Sequence, residues 1–87
     1  MLCEYRIFRE NGLLPTPGYL TDDEACTLNV AGVTAWMAIN GTRPIGVPGG
    51  KGEAILLQGT GGVSINGLLI AKAAGAECTF HFLPLTK

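Results

Sequence analysis

The residues with the most specific chemical meaning in this sequence are "GTGGVS", positions 59 to 64. They follow a short apolar run, "EAILLQ" (53 to 58), and open a longer apolar-periodic stretch, "INGLLIAKAAGAE" (65 to 77). In a GxGxxG turn the first glycine, here Gly59, permits the sharp passage from strand to helix. The second, Gly61, lets a pyrophosphate approach the backbone, and the third position needs a small side chain where helix meets strand. Ser64 occupies that third position and is small enough, while Gly62 adds one more residue without a side chain. Such a turn would hold phosphate by backbone N–H groups at a helix start.

The other candidate groups have plainer readings. His81 stands between Phe80 and Phe82 with no nucleophile or orienting carboxylate near it in sequence, so it reads as structural or exposed and not as a general base. Asp22, Asp23 and Glu24 fit helix-start chemistry better than a metal site. Cys3, Cys26 and Cys78 are widely spaced without a CxxC pair, which indicates reduced thiols and neither a disulfide framework nor a zinc knuckle. Cys26 and Cys78 lack basic neighbours and read as small buried hydrophobes.

The elements that must position the glycine turn are legible in outline. "EAILLQ" has the pattern of a parallel strand buried on both faces. Val63, Gly67, Ile70 and Ala74 recur at helical spacing to face a sheet, Lys72 points to water, and Gly75 falls where a left-handed C-cap belongs. "AECTFHF" (76 to 82) is the predicted second strand, completing one right-handed βαβ unit. Upstream, "EYRIF" (4 to 8) alternates like a short strand and is broken by Asn11-Gly12, Pro15 and Pro17. Thr21 with Glu24 forms a capping-box pattern ahead of a helix. "VAGVTAWMAI" (30 to 39) is apolar nearly all round, as a helix buried between layers would be, with Trp36 as a core or seam anchor. "GTRPIGVPGGKG" (41 to 52) joins the two halves. The fold class expected is therefore α/β: a partial Rossmann fold of one βαβ unit, preceded by a buried helix and a short N-terminal strand.

Composition narrows the function classes. Eighty-seven residues make one small domain, which buries only about 60% of its unfolded surface. The chain is 47% hydrophobic and 15% charged, which is little charge for so small a body and predicts apolar surface that needs a partner. With a net charge of −1 and six scattered Lys and Arg, there is no cationic stripe for nucleic acid. No apolar run reaches the roughly 20 residues that span a bilayer, and no signal-type h-region opens the chain, so a cytoplasmic protein with no membrane partner is expected.

Taken together, "LTDDEACTLNVAGVTAWMAI" and "GEAILLQGTGGVSINGLLIAKAAGAE" resemble the start of the cofactor domain in the medium-chain dehydrogenase/reductase superfamily, the zinc-type alcohol dehydrogenases and quinone reductases. The resemblance runs from about Tyr5 to about Glu77. It implies that residues 1–20 are the remnant of a catalytic-domain strand and turns, and that 21–87 form a truncated NAD(P)-binding Rossmann-like domain. It further implies that Gly59, Gly61, Gly62 and Val63 line the cofactor pyrophosphate, with Thr34 near the nicotinamide. The cofactor would be NAD or NADP. Zinc ligands in the family come mainly from the N-terminal domain, so the resemblance implies no zinc and no catalytic residue here.

Two departures stand out. The strand end that reads the ribose in the family is replaced by "TFHFLPLTK" (79 to 87), neither acidic nor small and polar, as though the sequence left the family near Cys78. Asn66-Gly67 replaces a bulky apolar pair in mid-helix, where glycine costs about 1 kcal/mol relative to alanine. The leading expectation is a truncated relative of an NAD(P)-dependent oxidoreductase without autonomous catalysis. The alternatives are an interaction module, self-associating or bound to full-length relatives, and a weak dinucleotide binder.

Overall fold

The computed structural model of the chain describes residues 2–81. In chain order it contains a single 3₁₀ turn (Glu10–Gly12), helix α1 (Asp22–Ala25), a π-helical turn (Leu28–Gly32), helix α2 (Val33–Asn40), strand β1 (Ala54–Gln58), helix α3 (Gly62–Ala73) and strand β2 (Glu77–His81). β1 and β2 run parallel in the register Ala54 to Glu77 through Gln58 to His81, so β1, α3 and β2 form one parallel strand-helix-strand unit of α/β character. The predicted second strand is present over Glu77–His81, and Phe82 lies outside the described residues.

Local signals explain the helix ends. Glu24 N–H donates to Thr21 Oγ1 (3.3 Å) and Thr21 N–H donates to Glu24 Oε2 (2.9 Å), closing both halves of the capping box. At the far end of α3, Gly75 takes φ +83°, and its N–H donates to Lys72 O (3.0 Å) while Ala76 N–H donates to Ala71 O (2.9 Å). These two bonds are the paired closure of a Schellman cap, which aims the chain back into β2.

Three expectations need correction. Residues 4–8 form no strand: the segment is exposed throughout, with Tyr5 and Ile7 over nine-tenths exposed. Alternation alone does not make a strand, because a strand exists only through a ladder to a neighbour. The helical stretch from Val30 to Ile39 is not buried. Ala35 is buried, while Val30 is 77% exposed and Trp36 50% exposed, because the chain supplies only one flank for a segment that is apolar all round. This stretch also begins in the π-helical turn, where Val33 N–H reaches five residues back to Leu28 O. Finally, β1 is covered on one face alone: Leu57 is buried and Leu56 is 62% exposed.

The core is thin as a result. Among the described residues the buried apolar side chains are Ala35, Leu57 and Ala71. Cys26 is exposed and Cys78 half-buried, so the expected burial of both thiols does not hold. Gly67 has a packing role that its helix propensity conceals: a Cβ there would lie 3.1 Å from Leu57 Cδ2, so the missing side chain lets α3 settle on the sheet. The joining segment 41–52 is braced rather than loose. Arg43 donates from Nε to Ile39 O (2.9 Å) and pairs through Nη2 with Glu53 Oε1 (2.7 Å), and Gly49 N–H donates to Asn40 Oδ1 (2.8 Å).

Candidate functional site

The glycine turn lies at the carboxyl end of β1. Gly59 has φ +76°, a left-handed conformation that L side chains rarely adopt, and its N–H donates to His81 O at 3.1 Å. The first turn residue is therefore pinned to the end of β2. Two residues later Gly61 has φ −73° and ψ 171° and serves as N-cap of α3 without a side chain to offer. The first helical bond there runs from Ile65 N–H to Gly61 O (3.0 Å), so the preceding N–H groups of the first turn have no side-chain cap.

Space around the turn is unevenly distributed. A Cβ on Gly59 or on Gly61 would meet nothing within 4 Å, so both backbones are open to an approaching group. A Cβ on Gly62 would lie 3.4 Å from Ala31 Cβ, so that position faces the helical segment before α2. Val63 is 44% exposed and lines a hollow with Ile55 and Leu57 of β1. Ser64 acts differently from the small spacer expected: its Oγ donates to Gln58 O (2.6 Å), tying the first turn of α3 to the end of β1. The close helix-to-strand contact falls instead at Gly67, one turn on.

Gly59, Gly61, Gly62 and Val63 are thus gathered in one turn. Thr34 is exposed on α2, three residues past Ala31 and so about one helical turn from the contact with Gly62. Sequence reasoning missed the Ala31–Gly62 contact, the Ser64 hydroxyl bond and the Arg43–Glu53 brace. The first depends on how two helical segments cross and the second on where the turn leaves the Gln58 carbonyl, and no periodicity encodes either. The third had a signal in the oppositely charged pair flanking the glycine-rich segment.

An anion of pyrophosphate shape fits this geometry. The uncapped N–H groups of α3 supply donors, its dipole favours negative charge, and the two open glycines leave the approach clear. A zinc ion does not fit the residues described. Cys3, Cys26 and Cys78 lie on separate parts of the chain, and among the described residues no three of His, Cys, Asp and Glu converge. Among those residues, too, no helix is long and apolar enough to cross a membrane.

The parallel strand-helix-strand unit gives the chain its α/β character. The comparisons add a more particular relation: the chain is 38% identical over 76 residues to a zinc-type alcohol dehydrogenase-like protein of Schizosaccharomyces pombe. The likeness covers 87% of this chain and 21% of that protein, so the chain spans about a fifth of the length of the curated relative it matches. The match supports kinship with the alcohol dehydrogenase-like proteins, an oxidoreductase-related family. No family profile matches the chain, and no solved structure does.

Proposed function

We propose that this chain forms the pyrophosphate-holding part of a nicotinamide dinucleotide site, in a relative of the zinc-type alcohol dehydrogenase-like oxidoreductases. The observation that carries the reading is the open turn at Gly59 and Gly61 leading into an uncapped α3, on a chain with dehydrogenase-like kinship. In this reading β1, α3 and β2 are a first Rossmann unit. Residues 21–87 belong to the cofactor domain, and 1–20 derive from the end of a substrate domain.

Each residue has a stated part. Gly59 turns the chain, Gly61 leaves room for the phosphates, and the N–H groups of Gly62 and Val63 donate to them. Ser64 holds the helix start in place through Gln58. Thr34 stands toward the nicotinamide end. Bound NAD or NADP would supply a hydride acceptor or donor at that end. In this reading the chain holds the cofactor and does not turn over substrate by itself.

Fluorescence titration with NADH and with NADPH tests the reading. Saturable binding of either is expected, with no turnover of alcohols or quinones. Absence of binding at millimolar cofactor would remove the dinucleotide role, and turnover by the purified chain would overturn the lack of autonomous catalysis.

A further inference from the structure

Two polar side chains in the first turns of α3 reach back to main-chain carbonyls. Ser64 Oγ donates to Gln58 O (2.6 Å), and Asn66 Nδ2 donates to Gly62 O (2.9 Å). A carbonyl shares one rigid plane with the N–H of the next residue, so a grip on the oxygen sets the direction in which that N–H points. In the Gln58–Gly59 plane the N–H is already engaged, since Gly59 donates to His81 O (3.1 Å). The Gly62–Val63 plane differs. The first helical bond runs from Ile65 N–H to Gly61 O, and Val63 N–H has no partner among the described residues. Asn66 therefore holds the back of a peptide whose front is open.

That plane has little stiffness of its own, because Gly61 and Gly62 lead into it and neither has a Cβ to restrict the backbone. Its support comes from neighbours. Ala31 Cβ stands 3.4 Å from where a Cβ of Gly62 would lie, and Asn66 Oδ1 stands 3.5 Å from where a Cβ of Gly32 would lie. The Asn66 amide is thus lodged between the start of α3 and the π-helical turn. Neither propensity nor packing favours asparagine at this position. It is a poorer helix former than leucine. It also borders a hollow of about 480 Å³ whose other lining side chains are apolar, Leu28, Val33, Trp36, Leu69 and Ile70 among them.

We propose that Asn66 is a positioning residue for the phosphate turn: its bond to Gly62 O aims the Gly62–Val63 peptide so that Val63 N–H faces a bound pyrophosphate. A donor on a peptide oxygen also polarises the N–H across the same plane, which strengthens that N–H as a donor. The proposal rests on the dinucleotide reading and adds to it the side chain that orients one of the donors. Asn66 looks like a departure in sequence because its partner is a main-chain oxygen one turn earlier.

Asn66→Leu and Asn66→Ser test it in NADH and NADPH titrations, with urea unfolding of each variant. Leucine has no donor but is the better helix former and suits the apolar hollow, so Asn66→Leu is expected to be at least as stable as wild type. Its dinucleotide affinity should nonetheless fall about three- to tenfold, the worth of one neutral hydrogen bond. Asn66→Ser should bind within about twofold of wild type, because a helical serine hydroxyl can donate to the carbonyl four residues back. In the free chains the Gly62 carbonyl ¹³C and Val63 amide resonances should move in the leucine variant and return toward wild type in the serine variant. Wild-type affinity in Asn66→Leu, a leucine variant that loses stability along with affinity, or a serine variant as weak as the leucine one would overturn the role of Asn66 and leave the dinucleotide reading standing. A wild-type chain that binds neither dinucleotide would remove that reading, and the role of Asn66 with it.

Discussion

Gly59 and Gly61 differ by two positions and should respond to the same substitution in different ways. Gly59 has φ +76°, where an L side chain costs about 1 to 2 kcal/mol. Alanine recovers about 0.4 to 1 kcal/mol by restricting the unfolded chain, leaving Gly59→Ala destabilised by about 1 kcal/mol. Nothing lies within 4 Å of the new methyl, so the whole effect is backbone conformation. At Gly61 the backbone is already extended, with φ −73° and ψ 171°. The same unfolded-state gain there is offset by alanine's poorer performance as an N-cap, about 0.5 kcal/mol or more, so Gly61→Ala should be neutral within about 0.5 kcal/mol. Urea unfolding followed by far-ultraviolet circular dichroism reads both. The Gly59 variant should lose about 0.5 to 1 M of midpoint and the Gly61 variant little. The cofactor response should invert the order of blame: the Gly61 methyl fills the approach to the backbone, so NADH affinity should fall at least about tenfold without loss of stability. Equal destabilisation of the two variants, or a Gly61→Ala chain that binds as wild type, would refute the reasoning.

Two other substitutions test the packing. Gly67→Ala gains about 1 kcal/mol of helix propensity but presses its Cβ to 3.1 Å from Leu57 Cδ2, so thermal or urea unfolding should show a net change under about 0.5 kcal/mol. Gly67→Val, with two methyls in the same gap, should lose about 1 to 3 kcal/mol. Arg43→Met removes both the bond to Ile39 O and the pair with Glu53. Since those side chains are about a third exposed, solvent screening holds the loss to about 1 kcal/mol, and it should shrink in high salt.

Local chemistry was the legible part of this chain. Thr21 and Glu24 satisfy each other within one turn, Gly75 needs only its own φ, and the two parallel strands follow from a short apolar run, a glycine turn and a helical period. What could not be read depended on distant coverage. The alternation of residues 4–8 marks a strand only if something pairs with it, and the apolar stretch around Val30 to Ile39 is buried only if two layers enclose it. Gly67 looked like a defect because its compensation, Leu57, lies on another element. The glycine positions of the candidate site were fixed by the motif, while the second function of Ser64 required the position of the Gln58 carbonyl.

The central claim is that backbone donors at the β1 to α3 turn hold a pyrophosphate. Amide chemical shifts recorded while titrating the labelled chain with NADH test it at the atoms concerned. The largest changes should fall on the amides of Gly61, Gly62 and Val63, and nicotinamide mononucleotide, which lacks the pyrophosphate, should not reproduce them. Shifts confined to other parts of the chain, or none at saturating NADH, would contradict the account.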